Sequence, residues 1–181
     1  GGGGGRGGGR PPALMPCRLY TRLRFSPGSI KRGRGCGGAV VDRTPADDNR
    51  DGAMCTVCET IHSENPVNVV GTLPFWDDKV LLCRRNIEPR RGLWTLPAGF
   101  MELGENTADG ALRETVEEAG ARVEMLGLYT LLHVVRVGQI HLFYRARLLD
   151  TDFAPGPETI EAVLFTEAEI PWDEIAFRTT K

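Results

Sequence analysis

The chain has 181 residues, with 22 lysines and arginines against 24 acids and a formal net charge of -2. This length accommodates one main domain with additions. The near balance of charge gives no electrostatic case for nucleic acid or an anionic membrane, and no apolar run approaches the ~18 residues of a spanning helix.

Residues 1 to about 35 are rich in Gly and Arg, and the first acidic residue is Asp42. Such a stretch buries too little apolar surface to offset chain entropy, so 1–35 is expected to be a disordered tail. An organelle transit remnant is the alternative, being Arg-rich and acid-poor, although Ser is scarce. A basic RNA-touching arm fits less well because aromatics are few. A chain that starts on Gly rather than Met is expected to lack its native start.

Five cysteines with a single C-x-x-C argue against a secreted disulfide framework and for a reduced compartment. Cys36 and the Cys55/Cys58 pair have 18 residues between them. A zinc ribbon reads C-x2-C, 15 to 20 residues, then C-x2-C. Gly33 stands where the first ligand belongs. Cys17 could replace it only through a long loop, and His62 lies close by in sequence. Structural zinc sites are four-coordinate and closed. Residues 36–64 therefore read as a degenerate zinc-ribbon-like segment, with bound zinc as the open alternative. Cys83 sits in an apolar run and reads as core.

The main domain is expected over 65–181. Residues 65–73 read as a strand, 76–79 as a turn and 79–85 as a second strand, together a hairpin. Residues 92–99 form a short extended piece leading into a loop, where Trp94 reads as core. Gly99 and Gly104 allow a close backbone turn.

Thr107 to Ala119 reads as one amphipathic helix, with Asn106 or Thr107 as N-cap and Gly120 just past its end. At 100° per residue, Ala108, Ala111, Leu112, Thr115 and Ala119 fall on one arc. Glu114, Glu117 and Glu118 fall on another at i, i+3 and i+4. Three like charges on one arc repel by a few tenths of a kcal/mol per pair, and Arg113 relieves part of this through Glu117 at i+4. A solvated acidic face is the plain explanation. The sharper one is a site for hard cations such as Mg²⁺ or Mn²⁺, which take carboxylate oxygens and keep waters for a phosphate-bearing partner.

Beyond the helix, 123–132 is apolar and extended, and 133–137 runs to a turn at Gly138-Gln139. Residues 140–148 form a strand hairpinned to the one before. His133 and His141 read as strand-surface residues. Residues 150–158 form a Pro/Gly loop and 162–165 a short strand. Residues 167–170 read as a turn, and 171–177 as the start of a helix.

Gly99, Glu105, Arg113, Glu114, Glu117, Glu118 and Gly120 spell G-x5-E-x7-R-E-x-x-E-E-x-G, which resembles the Nudix box. Thr115 stands where that family usually has an aliphatic residue. The likeness runs over about 65–177. The stretches LLCRRNIEPRRGLWTLPAGF, APGPETIEAVLF and EIPWDEIAF are similar to a subgroup with an N-terminal zinc ribbon, including a plant chloroplast pyrophosphatase of FAD and ADP-ribose-type substrates.

The resemblance implies an α/β fold, an α/β/α sandwich around a mixed sheet. It also implies a second long C-terminal helix, here cut short after Phe177. The implied chemistry is Mg-dependent hydrolysis of the pyrophosphate in a nucleoside diphosphate linked to another group. Carried over by position, Glu114, Glu117, Glu118 and the Gly99 carbonyl are the metal ligands. Glu114 and Glu118 are the catalytic carboxylates, and Arg113 with Glu105 orients them. The base is left open among Glu114, Glu158 and Glu161. Arg84, Arg85, Arg90 and Arg91 are candidates to grip phosphate by forked hydrogen bonds.

No SQPW-type stretch of the NADH pyrophosphatases follows the box, and Ala98 after Pro97 breaks the coenzyme A pattern. The implied partners are a small-molecule dinucleotide and a second copy of the chain as a homodimer, with no membrane and no nucleic acid. The implied compartment is the chloroplast, otherwise the cytoplasm. A non-catalytic nucleotide-binding module is the competing reading.

Overall fold

The computed structural model describes residues 30–45, 49 and 51–181. The Gly/Arg-rich stretch up to residue 29, including Cys17, lies outside them. The chain divides into two units, Gly1–Glu64 and Asn65–Lys181.

In the first unit, β1 (Val40–Arg43), β2 (Gly52–Cys55) and β3 (Ile61–His62) form an antiparallel sheet in the order β1-β2-β3. Cys55 is the one fully buried hydrophobic side chain among the described residues of this unit.

The second unit contains β4 (Val67–Trp76), β5 (Lys79–Arg85), β6 (Trp94–Thr95), β7 (Ala98–Phe100), α1 (Thr107–Ala119), β8 (Val123–Val134), β9 (Gln139–Leu148) and β10 (Thr159–Thr166). The sheet runs β10-β5-β4-β9-β8, with β6 beside β5 and β7 beside β4. It is mixed, because β4 and β9 are parallel while the other pairings are antiparallel. Side chains alternate across β5, and each face carries its own apolar cluster. Leu81 and Cys83 meet Ala119, Ala121 and Leu148 on the α1 side. Leu82 meets Trp94, Leu96, Phe143 and Ile175 on the other. The expected α/β architecture around a mixed sheet is present.

Helix α1 begins where the Asn106 side chain accepts from Ala108 N at 3.0 Å and Asp109 N at 2.9 Å. It ends at Gly120, whose φ of 61° returns its N–H to the Val116 carbonyl. Its buried side differs from the predicted arc. Gly110, Ala111, Glu114, Thr115, Glu118 and Ala119 are buried, while Leu112 and Val116 are exposed. Small residues let the helix approach β4, and this rotation turns two of the glutamates inward.

Thr115, the departure from an aliphatic residue, has a partner. Its hydroxyl donates to the Ala111 carbonyl at 2.7 Å and meets the Thr72 hydroxyl of β4 at 2.6 Å, with both residues fully buried. The polar group is thus satisfied twice within the core.

Two expectations near the C-terminus need correction. The short strand at 162–165 extends over Thr159–Thr166, which places Glu161 on β10 rather than on a loop. The segment 171–177 does not start an α-helix. A 3-10 turn at Trp172–Glu174 gives way to extended backbone at Ile175, and Ala176 N donates to the Trp94 carbonyl at 2.8 Å. Ile175 is drawn into the apolar face beside β6, and this tertiary contact overrides the local helical pattern.

Candidate active site

The acidic residues meet where α1 faces β7 and the loop that joins the two. Arg113 organises them. Its Nε and Nη2 grip Glu105 as a fork at 3.0 and 2.9 Å. Nη1 donates to Glu114 Oε1 at 2.7 Å and Glu117 Oε2 at 3.1 Å, and Nη2 also reaches the Phe100 carbonyl at 3.2 Å. A guanidinium carries five N–H donors, and all five are used. Glu105 Oε1 also accepts from Glu102 N at 2.6 Å, which ties the loop to the same cluster.

Glu114 and Glu118 are 9% and 8% exposed. Burial raises the Glu114 carboxyl, with Arg113 as the largest opposing influence. Burial pushes Glu118 up to about 7, against a backbone bond from Ala98 N at 3.0 Å. The charges of Glu114 and Glu158 raise it further, while Arg85 lowers it. A β-carbon at Gly99 would overlap the Glu114 carboxylate, so no larger residue fits there without displacing that acid.

Glu105, Arg113, Glu114 and Glu117 therefore form one bonded cluster, and Glu118 lies within reach of the Glu114 charge. Glu117 is the exposed member, with 59% of its side chain accessible. The three box carboxylates do not close into one tight group. Among the described residues, the only three ligand atoms of His, Cys, Asp or Glu that lie within 4.8 Å of one another belong to Cys36, Cys55 and Cys58. His62 stands outside that set.

Glu161 is paired with Arg84 at 3.1 Å, which leaves Glu158 as the loop carboxylate whose charge reaches Glu118. Arg84 also donates to the Gly92 carbonyl at 2.9 Å and lies over Trp94. Arg85 lies over Phe177 and donates to the Pro89 carbonyl at 3.0 Å, and Arg91 donates to Asn86 at 3.1 Å. His133 is exposed on β8, and His141 is half-buried on β9, as expected of strand residues. The Ala98 N–H and Arg85 were missed as neighbours of Glu118. Their position, just before Gly99 and at the end of the strand preceding the box, is the only sequence signal that could have found them.

A NUDIX domain model matches residues 65–180. A second model, described as Nudix N-terminal and of zinc-ribbon type, matches 34–63. The crystal structure of a NUDIX hydrolase from Nitrosomonas europaea is similar at 50% identity and a TM-score of 0.80, over 83% of this chain and 86% of that one. An ADP-ribose pyrophosphatase of Methanocaldococcus jannaschii is 40% identical over 57 residues, 30% of this chain and 34% of that protein. An NAD-capped RNA hydrolase, NudC, of Vibrio parahaemolyticus is 30% identical over 112 residues, 62% of this chain and 38% of that protein. The chain spans about a third of the length of these curated relatives.

Proposed function

This chain belongs to the Nudix family, and on that premise we propose that it hydrolyses the pyrophosphate of a nucleoside diphosphate linked to another group. Nucleoside diphosphate sugars of the ADP-ribose type are the first candidates, since a relative is named for that activity. FAD is the second, on the likeness to the plant chloroplast subgroup.

One observation carries this reading. Glu114 and Glu118 are hard oxygen donors held out of water, with carboxyls raised by burial. A donor set short of positive charge suits Mg²⁺ or Mn²⁺. Glu114 and Glu118 would hold the cation, with Glu117 as a third carboxylate and the Gly99 carbonyl as a fourth oxygen. Once bound, the cation supplies Lewis-acid charge for phosphoryl oxygens and lowers the pKa of a water.

The protein's own groups set the rest. Arg113 occupies Glu114 Oε1, and Ala98 N occupies Glu118 Oε2. Glu114 Oε2 and Glu118 Oε1 are outside those bonds. Glu105 fixes the Arg113 fork, so Glu114 cannot rotate freely. Glu114 or Glu158 accepts the proton of the attacking water at a carboxylate oxygen. The water oxygen bonds to one phosphorus as the bridging P–O bond breaks, leaving two monophosphates. A non-catalytic nucleotide-binding module would need neither the Arg113 network nor two buried acids.

The test is a substrate panel with the full chain in Mg²⁺ and Mn²⁺: ADP-ribose, FAD, NADH and NAD-capped RNA. The expected products are AMP with ribose 5-phosphate, or AMP with FMN, and Glu118→Gln abolishes them. Nucleotide binding without turnover across the panel would instead identify the non-catalytic module.

A further inference from the structure

The first unit has three short strands and a single buried hydrophobic side chain, Cys55, among its described residues. A segment so small cannot be held by a core of that size and needs a staple. The three thiols are the material at hand. Cys36 Sγ lies 3.2 Å from Cys55 Sγ and 3.2 Å from Cys58 Sγ.

The surrounding backbone is shaped around the sulfurs. Gly38 N donates to Cys36 Sγ at 3.4 Å, Gly33 N to the Gly38 carbonyl at 2.7 Å, and Gly37 N to the Gly33 carbonyl at 2.9 Å. Glu59 N closes the second turn on the Cys55 carbonyl at 3.0 Å. Gly33 is buried and faces the group. A β-carbon built on it would lie 3.0 Å from Cys55 Sγ and 3.3 Å from Cys36 Sγ. Its backbone is not in the left-handed region, so nothing but the missing side chain distinguishes it from a ligand position.

We propose that Cys36, Cys55 and Cys58 bind one thiophilic cation, zinc, as a three-thiolate site whose fourth position, beside Gly33, is left to an exchangeable outside donor. That donor is water, replaced by a small thiol when one is present. Zinc–sulfur bonds of about 2.3 Å place the sulfurs of a tetrahedron about 3.8 Å apart. The thiols therefore need to spread by only about 0.6 Å to admit the ion. Zinc completes four-coordination when it can, and a site with three protein ligands keeps its fourth position open to exchange. The departure at Gly33 thus converts a closed structural site into an open one.

The test uses the full reduced chain, loaded with zinc or Co²⁺, and no readout involves turnover. Its failure is therefore distinct from failure of the proposed hydrolysis. One zinc per chain is expected. The visible spectrum of the Co²⁺ form should shift when 2-mercaptoethanol is added. Gly33→Cys should abolish that shift and tighten zinc at least ~10-fold in chelator competition, since even outer-shell changes move metal affinity by that much. The spectrum of the unmutated chain tests the idea even if Gly33→Cys folds poorly. A chain that takes up no zinc or Co²⁺ overturns the proposal. So does a thiol-insensitive Co²⁺ spectrum; if Cys17→Ser then makes it thiol-sensitive, Cys17 is the fourth ligand.

Discussion

Glu118→Gln should abolish turnover and at the same time stabilise the metal-free protein above neutral pH. Glu118 is 8% exposed, and its carboxyl is pushed from the ordinary 4.5 to about 7 by burial and by the charges of Glu114 and Glu158. The folded state therefore prefers the protonated acid. Stability from this group is complete below pH 4.5 and is lost as pH rises through about 7. The displacement corresponds to about 3 kcal/mol once the group is fully ionised. Gln is neutral and of the same shape, and its carbonyl oxygen can still accept from Ala98 N. At pH 8 without divalent cations the variant should gain up to about 3 kcal/mol, or roughly 6–12 °C in Tm for a protein of this size. Near pH 5 the gap should shrink to about 1 kcal/mol or less, and near pH 4 the two proteins should melt together. Added Mg²⁺ should raise the parent's Tm at pH 8 and leave the variant's nearly unchanged. In the same preparation kcat should fall at least ~10²-fold, because one of the two buried carboxylates proposed to hold the cation is gone. Thermal melts at pH 4, 5 and 8, with and without Mg²⁺, read all of this. A variant less stable than the parent at pH 8 without metal, or a difference independent of pH, would refute the reasoning.

Arg113→Lys keeps the charge but not the fork. It should lower kcat and cost about 1–3 kcal/mol in urea unfolding, because Glu105 and Glu114 lose bonds that no ammonium can reproduce. Gly99→Ala should leave the melt within a few degrees of the parent while reducing kcat at least ~10-fold, since the added carbon displaces the Glu114 carboxylate. The buried hydroxyl pair should respond unequally. Thr115 already donates to Ala111, so Thr72 must be the donor between them. Thr115→Val strands that donor and should cost about 1–3 kcal/mol, Thr72→Val should cost less, and the double variant should recover part of the loss in a mutant cycle.

Much of the candidate site is legible in the sequence. The spacing of Glu114, Glu117 and Glu118, the pairing of Arg113 with Glu117, and the helix ends at Asn106 and Gly120 are local properties, read from the angle between neighbours on one helix. The strands at 79–85 and 140–148 likewise follow from local pattern, a short apolar run bounded by a turn in the first and a strand-forming stretch after the Gly138-Gln139 turn in the second. The misplacement of Leu112 shows the limit of that reading. Its angle puts it on the apolar arc, but the helix packs by its smallest side chains, and Leu112 is left in solvent.

What the chain's order of residues determined by itself is therefore the list of groups and their phase along each element. Only the tertiary structure decided their environment. Glu118 became a high-pKa acid and Glu117 an exposed one because β7 and the loop that joins it to α1 lie over one side of the helix and not the other. The Thr72 partner of Thr115, the demand for glycine at position 99, and the capture of Ile175 beside β6 have the same origin. Periodicity is a one-dimensional property, carried within a few residues. Desolvation and close approach depend on atoms brought together from distant parts of the chain, and no local pattern specifies those.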